Sequence, residues 1–298
     1  MKYQQLGRSD LKISRIGFGC MSLKPHDIQS EKILLHAIDS GINYFDTADL
    51  YDKGANEEML GKVLKEKRNK IILATKAGNQ WRPDGSGWDW NPRKEYILKC
   101  ADESLRRLQT DYIDLFQLHG GTMDDPKEET IEAFEQLLRE GKIRYYGISS
   151  IRPNVIRFWS QHSNIVSVMT QYSLLDRRSE EETLNLLKEK NIGVVVRGSV
   201  AQGLLVNKPA KSYLGFSEEE VAKAAKTIQS LSNNKRTAAQ TALQFVLSHP
   251  SVTSSIVGMR TMEQLEEAVT ALDAPPLLRN ELATLKQAVP SNYYKEHR

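Results

Sequence analysis

Short apolar runs alternate along the chain with stretches in which apolar residues recur every three or four positions. The runs read as strands and the spaced stretches as helices. Strand candidates begin near Arg15, Asn43, Ile71, Tyr112, Ile143, Ser167, Gly193 and Val252. Helical spacing is plain in Ile97, Ala101, Leu105 and Leu108, and again in Ile131, Phe134, Leu137 and Leu138. Strands that alternate with helices predict a parallel sheet, and eight such units predict an α/β fold closed as a (β/α)8 barrel. Gly7-Arg8-Ser9-Asp10, between two short extended pieces, predicts a β-hairpin that caps the barrel bottom. Ser217 to Ser232 predicts an added helix ahead of the one over Thr237 to Ser248. No linker or repeat divides the chain, so residues 1–298 are read as a single domain.

At the strand ends the pattern turns polar. Asp46, Tyr51, Lys76 and His119 each fall at or just past a predicted strand, which is where barrel enzymes keep their chemistry. A carboxylate, a phenol, an ammonium and an imidazole can together protonate a carbonyl oxygen while a hydride reaches its carbon. A phenol of ordinary pKa about 10 donates poorly at neutral pH, and a nearby ammonium lowers that value. Tyr51 is therefore read as the general acid, Lys76 as its tuner, and Asp46 as the partner that keeps Lys76 protonated. His119 is expected to be neutral and to orient the carbonyl through an N–H. Taken singly, the four have ordinary readings as a turn cap, a surface aromatic, a solvated charge and a core imidazole. Their joint placement at strand ends carries the catalytic reading.

Composition narrows the classes. Lysine and arginine total 41 against 38 acidic residues, a net charge of +3 with no basic block, so nothing points to nucleic acid. The first residues lack an apolar signal core and no run approaches a membrane span, which predicts a soluble, cytoplasmic protein without membrane partners. Cys20 and Cys100 are isolated, unlike a metal-ligand spacing, and no metal is expected. Gly17-Phe18-Gly19-Cys20-Met21-Ser22 begins like a dinucleotide fingerprint, but Ser22 stands where the third glycine belongs and Pro25 interrupts a helix there. Its glycines are read as letting the first barrel strand approach a ligand closely.

The order of Gly17-Phe18-Gly19, Phe45-Asp46-Thr47-Ala48 with Tyr51, Gly61, Thr75-Lys76, Asp111-Tyr112-Ile113-Asp114-Leu115, Leu118-His119, Gly147-Ile148-Ser149, Gln171-Tyr172 and Ile256-Val257-Gly258 resembles the aldo-keto reductases. The resemblance runs from Leu6 to about Ala268. It implies a barrel, a nicotinamide cofactor that is usually NADPH, and reversible reduction of an aldehyde or ketone to an alcohol. It further implies that Ser149 and Gln171 hold the nicotinamide carboxamide, and that Gly19, Cys20, Met21 and Asp46 line the cofactor cleft. Gly258-Met259-Arg260-Thr261, with Gln264 and Glu267 in the helix that follows, is expected at the adenosine end, Arg260 meeting a 2′-phosphate. That favours NADPH over NADH, although Gly258, Gln264 and Ala268 replace a lysine, an arginine and an asparagine of one common family pattern.

The stretch from Gly198 to Phe216, with Ser199, Gln202, Gly203 and Leu204, is long enough for a flap over the cofactor pyrophosphate. Arg197 stands where many relatives have an aromatic that stacks on nicotinamide. A planar guanidinium can stack as well, or it can pair with a carboxylate or the cofactor phosphates. Trp81, Trp88 and Trp90 follow the third barrel strand. They are read either as an aromatic mouth, with Trp81 and Trp88 joining Tyr51 and His119 at a small-molecule carbonyl substrate, or as fasteners of the loop. Two other classes compete: a non-catalytic NADPH-binding sensor or regulatory barrel, and a metal-dependent hydrolase using Asp46 and His119. The second lacks further histidines at strand ends. Nothing in the sequence sets the oligomeric state, the substrate or the stereochemistry.

Overall fold

The computed structural model describes all 298 residues. A hairpin of β1 (Tyr3–Gln5) and β2 (Lys12–Ser14) precedes β3 (Ile16–Gly19), α1 (Ile28–Asp39), β4 (Tyr44–Asp46), α2 (Ala55–Leu64) and β5 (Ile72–Ala77). A second hairpin, β6 (Asn79–Trp81) and β7 (Trp88–Trp90), leads into α3 (Lys94–Leu108), β8 (Ile113–Leu118), α4 (Lys127–Arg139), β9 (Ile143–Ser149), α5 (Pro153–His162) and β10 (Ser167–Gln171). The chain ends with α6 (Thr183–Glu189), β11 (Gly193–Arg197), α7 (Glu218–Ser230), α8 (Ala238–Leu247), β12 (Val252–Val257), α9 (Met262–Val269) and α10 (Arg279–Ala288). The strands close as β3-β4-β5-β8-β9-β10-β11-β12, and β12 pairs in parallel with β3 to complete the ring. This is the (β/α)8 barrel that the alternating pattern predicts. No helix is long and apolar enough to cross a membrane.

Two layers inside the barrel follow from the period of the strand. Tyr44, Ala74, Leu115, Met169, Val195 and Ile256 form a buried apolar layer with Leu6, Leu11 and Ile13 from the first hairpin. That hairpin is the barrel's floor. Its turn residue Gly7 is left-handed (φ 54°), and a Cβ there would lie 2.5 Å from the Val166 carbonyl oxygen, so only glycine fits. Two residues further along the same strands, and hence on the same face, stand Asp46, Lys76, Gln117, Gln171 and Arg197. Composition thus switches from apolar to polar within one step toward the C-terminal mouth.

Between strands and helices lies the larger core, which takes Ile97, Ala101 and Leu108 from α3 and Phe134 and Leu137 from α4. At the other end of the strands, buried Asp114 accepts from the Leu73 N–H and pairs with Arg68 (2.7 Å) and Arg144 (2.9 Å). α7 and α8 open with reciprocal caps, Ser217 with Glu220 and Thr237 with Gln240. Such caps stabilise a helix by about 0.5–2 kcal/mol.

Two local findings differ from expectation. Gly17 has a packing reason rather than a ligand: a Cβ would meet Ile256 Cδ1 at 2.5 Å and the Tyr44 ring at 2.8 Å. The tryptophan-rich segment forms an antiparallel ribbon in which Trp81 faces Trp88 and Asn79 faces Trp90.

Candidate active site

The Lys76 ammonium is 1% exposed and its donors are directed by the ends of two strands. It donates to Asp46 Oδ1 at 2.6 Å and to the Thr47 carbonyl at 2.7 Å, and lies 3.4 Å from the Tyr51 hydroxyl. The turn carrying Tyr51 is pinned underneath by the Asp49 N–H on the Lys76 carbonyl (3.1 Å). It then passes through three left-handed residues, Asp52, Lys53 and Gly54, a costly conformation for the two that have side chains. Burial alone would lower the Lys76 pKa, but the charge of Asp46 and the contact with Tyr51 outweigh it and hold the ammonium above its ordinary value. Burial also raises the Asp46 pKa, and Lys76 and Gln117 draw it back. With an ammonium at 2.6 Å the pair is ionised.

Gln117 belongs to this group and escaped the sequence reading. It is fully buried, donates to Asp46 Oδ2 (3.3 Å), and its Oε1 has no partner. The period that places Asp46 and Lys76 inward also places Gln117, and an amide inside an apolar strand was the available signal.

His119 follows β8, its N–H on the Ala77 carbonyl (2.8 Å) and its own carbonyl accepting from the Asn79 side chain (3.1 Å). Its ring meets that of Tyr51 edge-on, centroids 5.9 Å apart. Burial, with the charges of Lys76 and Arg197 adding to it, pushes the imidazole pKa down to about 3, so the ring is neutral. Nδ1 is buried without a partner. Asp46, Tyr51, Lys76 and His119 therefore converge on one end of the barrel.

The tryptophans divide. Trp90 donates its indole N–H to Asp125 (2.8 Å), and a Cβ on Gly78 or Gly120 would meet its ring at 2.8 and 3.0 Å. It fastens the ribbon to the rim. Trp88 is exposed, and Trp81 lies under the Lys53 ammonium at 5.1 Å.

On the other side of the mouth, Ser149 ends β9 and Gln171 ends β10. Arg197 donates to Gln171 Oε1 at 2.9 Å, so its partner is an amide and not a carboxylate. Ser199 is buried with its hydroxyl 2.6 Å from that of Ser255. Ala201, Gln202 and Gly203 are consecutive left-handed residues ahead of buried Leu204. Near the end of β12, a Cβ on Gly258 would come within 3.1 Å of Ser22 Oγ, itself buried and unpartnered. The Cys20 side chain is fully buried, whereas Met21 is exposed beside Gly19. Arg260 is exposed; its N–H bonds Gln264 Oε1 (2.9 Å) while Thr261 caps α9 through the Gln264 N–H (3.3 Å). Glu267 is drawn toward α8 by the Thr237 hydroxyl.

The chain has relatives among known proteins. A family model described as the Aldo/keto reductase family matches residues 15–290. The uncharacterized oxidoreductase YqkF of Bacillus subtilis (strain 168) is 49% identical over 307 residues, spanning 100% of both chains. The aldo-keto reductase yakc [NADP(+)] of Schizosaccharomyces pombe is 34% identical over 65% of this chain and 60% of its own. Among solved structures, the holo form of aldo-keto reductase AKR11C1 from Bacillus halodurans superposes with a TM-score of 0.94 at 48% identity, covering 100% of this chain and 99% of that one.

Proposed function

This chain belongs to the aldo/keto reductase family, and from that premise we propose that it reduces aldehydes or ketones to alcohols with NADPH, Tyr51 acting as the general acid. The observation that carries the reading is the buried relay from Asp46 through Lys76 to the Tyr51 hydroxyl, with neutral His119 beside it.

Each residue of the relay has a task. Tyr51 gives its phenolic proton to the carbonyl oxygen as negative charge develops there. Lys76, permanently charged by its pairing with Asp46, stabilises the phenolate left behind. Gln117 and the Thr47 carbonyl fix the two ends of that pair, so the ammonium does not turn away from the phenol. His119 donates a hydrogen bond to the substrate oxygen. An orphaned buried N–H is rarer than an orphaned acceptor, so its unpartnered Nδ1 favours the tautomer with the proton on Nε2.

The residues present fit a nicotinamide dinucleotide phosphate. Strained backbone at Ala201 and Gln202 collects where a flap would meet a pyrophosphate. The cradle of Gly258 and Ser22 has an unanswered hydroxyl, and Arg260 is free at the start of α9 for a 2′-phosphate. Met21, Gly19 and Asp46 would border the cofactor, Ser149 and Gln171 would hold its carboxamide, and the backbone of Gly198, Ser199, Gly203 and Leu204 would hold its diphosphate. Gln264, Thr261 and Glu267 would shape the adenosine end. When bound, NADPH supplies the hydride. Trp81 and Trp88 contribute to the substrate side of the mouth. The NADP(+) in the name of the fission-yeast relative supports this cofactor. A screen of aldehydes, ketones and quinones, followed by the loss of NADPH absorbance, tests the proposal; no turnover of any carbonyl alongside tight NADPH binding would favour a cofactor-binding sensor instead.

A further inference from the structure

Gln171 is gripped by both ends of one loop. At the loop's start, Arg197 Nη1 donates to Gln171 Oε1 (2.9 Å), and Gly198 approaches so closely that a Cβ would meet Gln171 Cγ at 3.2 Å. At its far end, the Tyr213 hydroxyl accepts from Gln171 Nε2 (3.1 Å). These contacts fix which way the amide points. Arginine only donates, so the amide atom facing it is the oxygen, and the nitrogen is left for Tyr213.

Tyr213 is held firmly enough to act. It exchanges two backbone hydrogen bonds with Phe216 (3.1 and 3.0 Å) across Leu214 and Gly215, both left-handed at φ 49° and 88°. That is a two-residue turn of the primed type, strained at Leu214 and anchored by the buried Phe216 ring. The contact crosses from a loop tip to a barrel strand end, joining residues that are 42 apart.

We propose that Tyr213 is a positioning residue for the nicotinamide end of the cofactor, latching the loop from Gly198 to Phe216 onto the Gln171 amide that it and Arg197 orient. The inference rests on the NADPH reading of the same site. With Arg197 and Tyr213 in place, Gln171 keeps one Oε1 lone pair and one Nε2 proton for a carboxamide, in a fixed arrangement. The latch thereby ties the loop's tip to the nicotinamide seat, while the loop's own hold on the diphosphate does not depend on it. Without the latch, the loop closes over the rest of the dinucleotide but leaves the ring loosely held.

The test compares NADPH with 2′-phospho-ADP-ribose, the same nucleotide without nicotinamide, on the wild type, Tyr213→Phe, Gln171→Leu and the double variant. Tyr213→Phe is expected to weaken NADPH binding by roughly 3- to 10-fold, the worth of one hydrogen bond, with faster NADPH release. Its affinity for 2′-phospho-ADP-ribose stays at the wild-type value. On the Gln171→Leu background the tyrosine change adds nothing. Equal weakening of both ligands, or additive losses in the double variant, overturns the latch and leaves Tyr213 as a general support of the loop. A wild type that binds NADPH no better than 2′-phospho-ADP-ribose overturns the nicotinamide reading itself, and the latch with it.

Discussion

The Lys76 ammonium lies 3.4 Å from the Tyr51 hydroxyl while its two short bonds go elsewhere, to Asp46 and the Thr47 carbonyl. The charge is anchored by the barrel and only leans on the phenol. It is free to strengthen that contact when a proton leaves Tyr51. Tyr51→Phe is therefore expected to lower kcat by about 10²–10⁴-fold with NADPH affinity unchanged. Turnover near the wild-type rate would remove Tyr51 from the role of acid.

Asp46 and Lys76 are buried together, so breaking the pair is costlier than removing it. Asp46→Ala leaves a buried ammonium with only neutral partners, the Thr47 carbonyl and the Tyr51 hydroxyl, and is expected to destabilise by about 3–5 kcal/mol. Adding Lys76→Met removes the stranded charge and should restore much of the loss, without activity. Denaturant midpoints decide this, and a double variant no more stable than Asp46→Ala would contradict it.

His119 and Asp49 should bend the pH dependence of stability in opposite senses. The folded His119 pKa of about 3 lies below its ordinary 6.5, so its contribution is present above pH 6.5 and lost as pH falls toward 3. Burial, with Glu57 adding to it, pushes Asp49 up from 3.8 to about 7. Its contribution is present below pH 3.8 and lost as pH rises through 7. His119→Asn should accordingly flatten the acid-side fall, and Asp49→Asn should gain most on the wild type above neutrality. Urea midpoints across pH report both, and profiles parallel to the wild type would refute the assignments.

Arg260→Ala should weaken NADPH far more than NADH, because only NADPH carries the 2′-phosphate. A hydrogen bond to a charged group is worth about 1.5–3 kcal/mol. Titration of both nucleotides measures it, and equal losses would place the guanidinium away from the phosphate.

The barrel was legible because its signals are local. Val194-Val195-Val196 and Leu73-Ala74, short apolar runs between helical stretches, read as strand, and Arg197 and Lys76 just beyond them mark the mouth. Other features depend on residues far apart in sequence. The β6–β7 ribbon has only three residues a side and is largely exposed, and it is fastened where Trp90 finds Asp125 and packs on Gly78 and Gly120. Gln117 gains its meaning from Asp46, and Tyr213 from Gln171. The left-handed backbone at Ala201 and Gln202 could not be read either, since residues with side chains seldom adopt it.

The pairing that closes the ring also sets a clock. Ser254 bonds the Ser14 carbonyl across 240 residues of sequence, and β3 meets β12 just above. During synthesis at about 5–20 residues per second, β3 waits roughly 10–50 s for that neighbour. Throughout that interval one edge of the nascent sheet stays open to other chains, and the floor hairpin has no finished barrel to plug. Ribosome-bound chains that stop short of Val252 should therefore be the stage most in need of a chaperone.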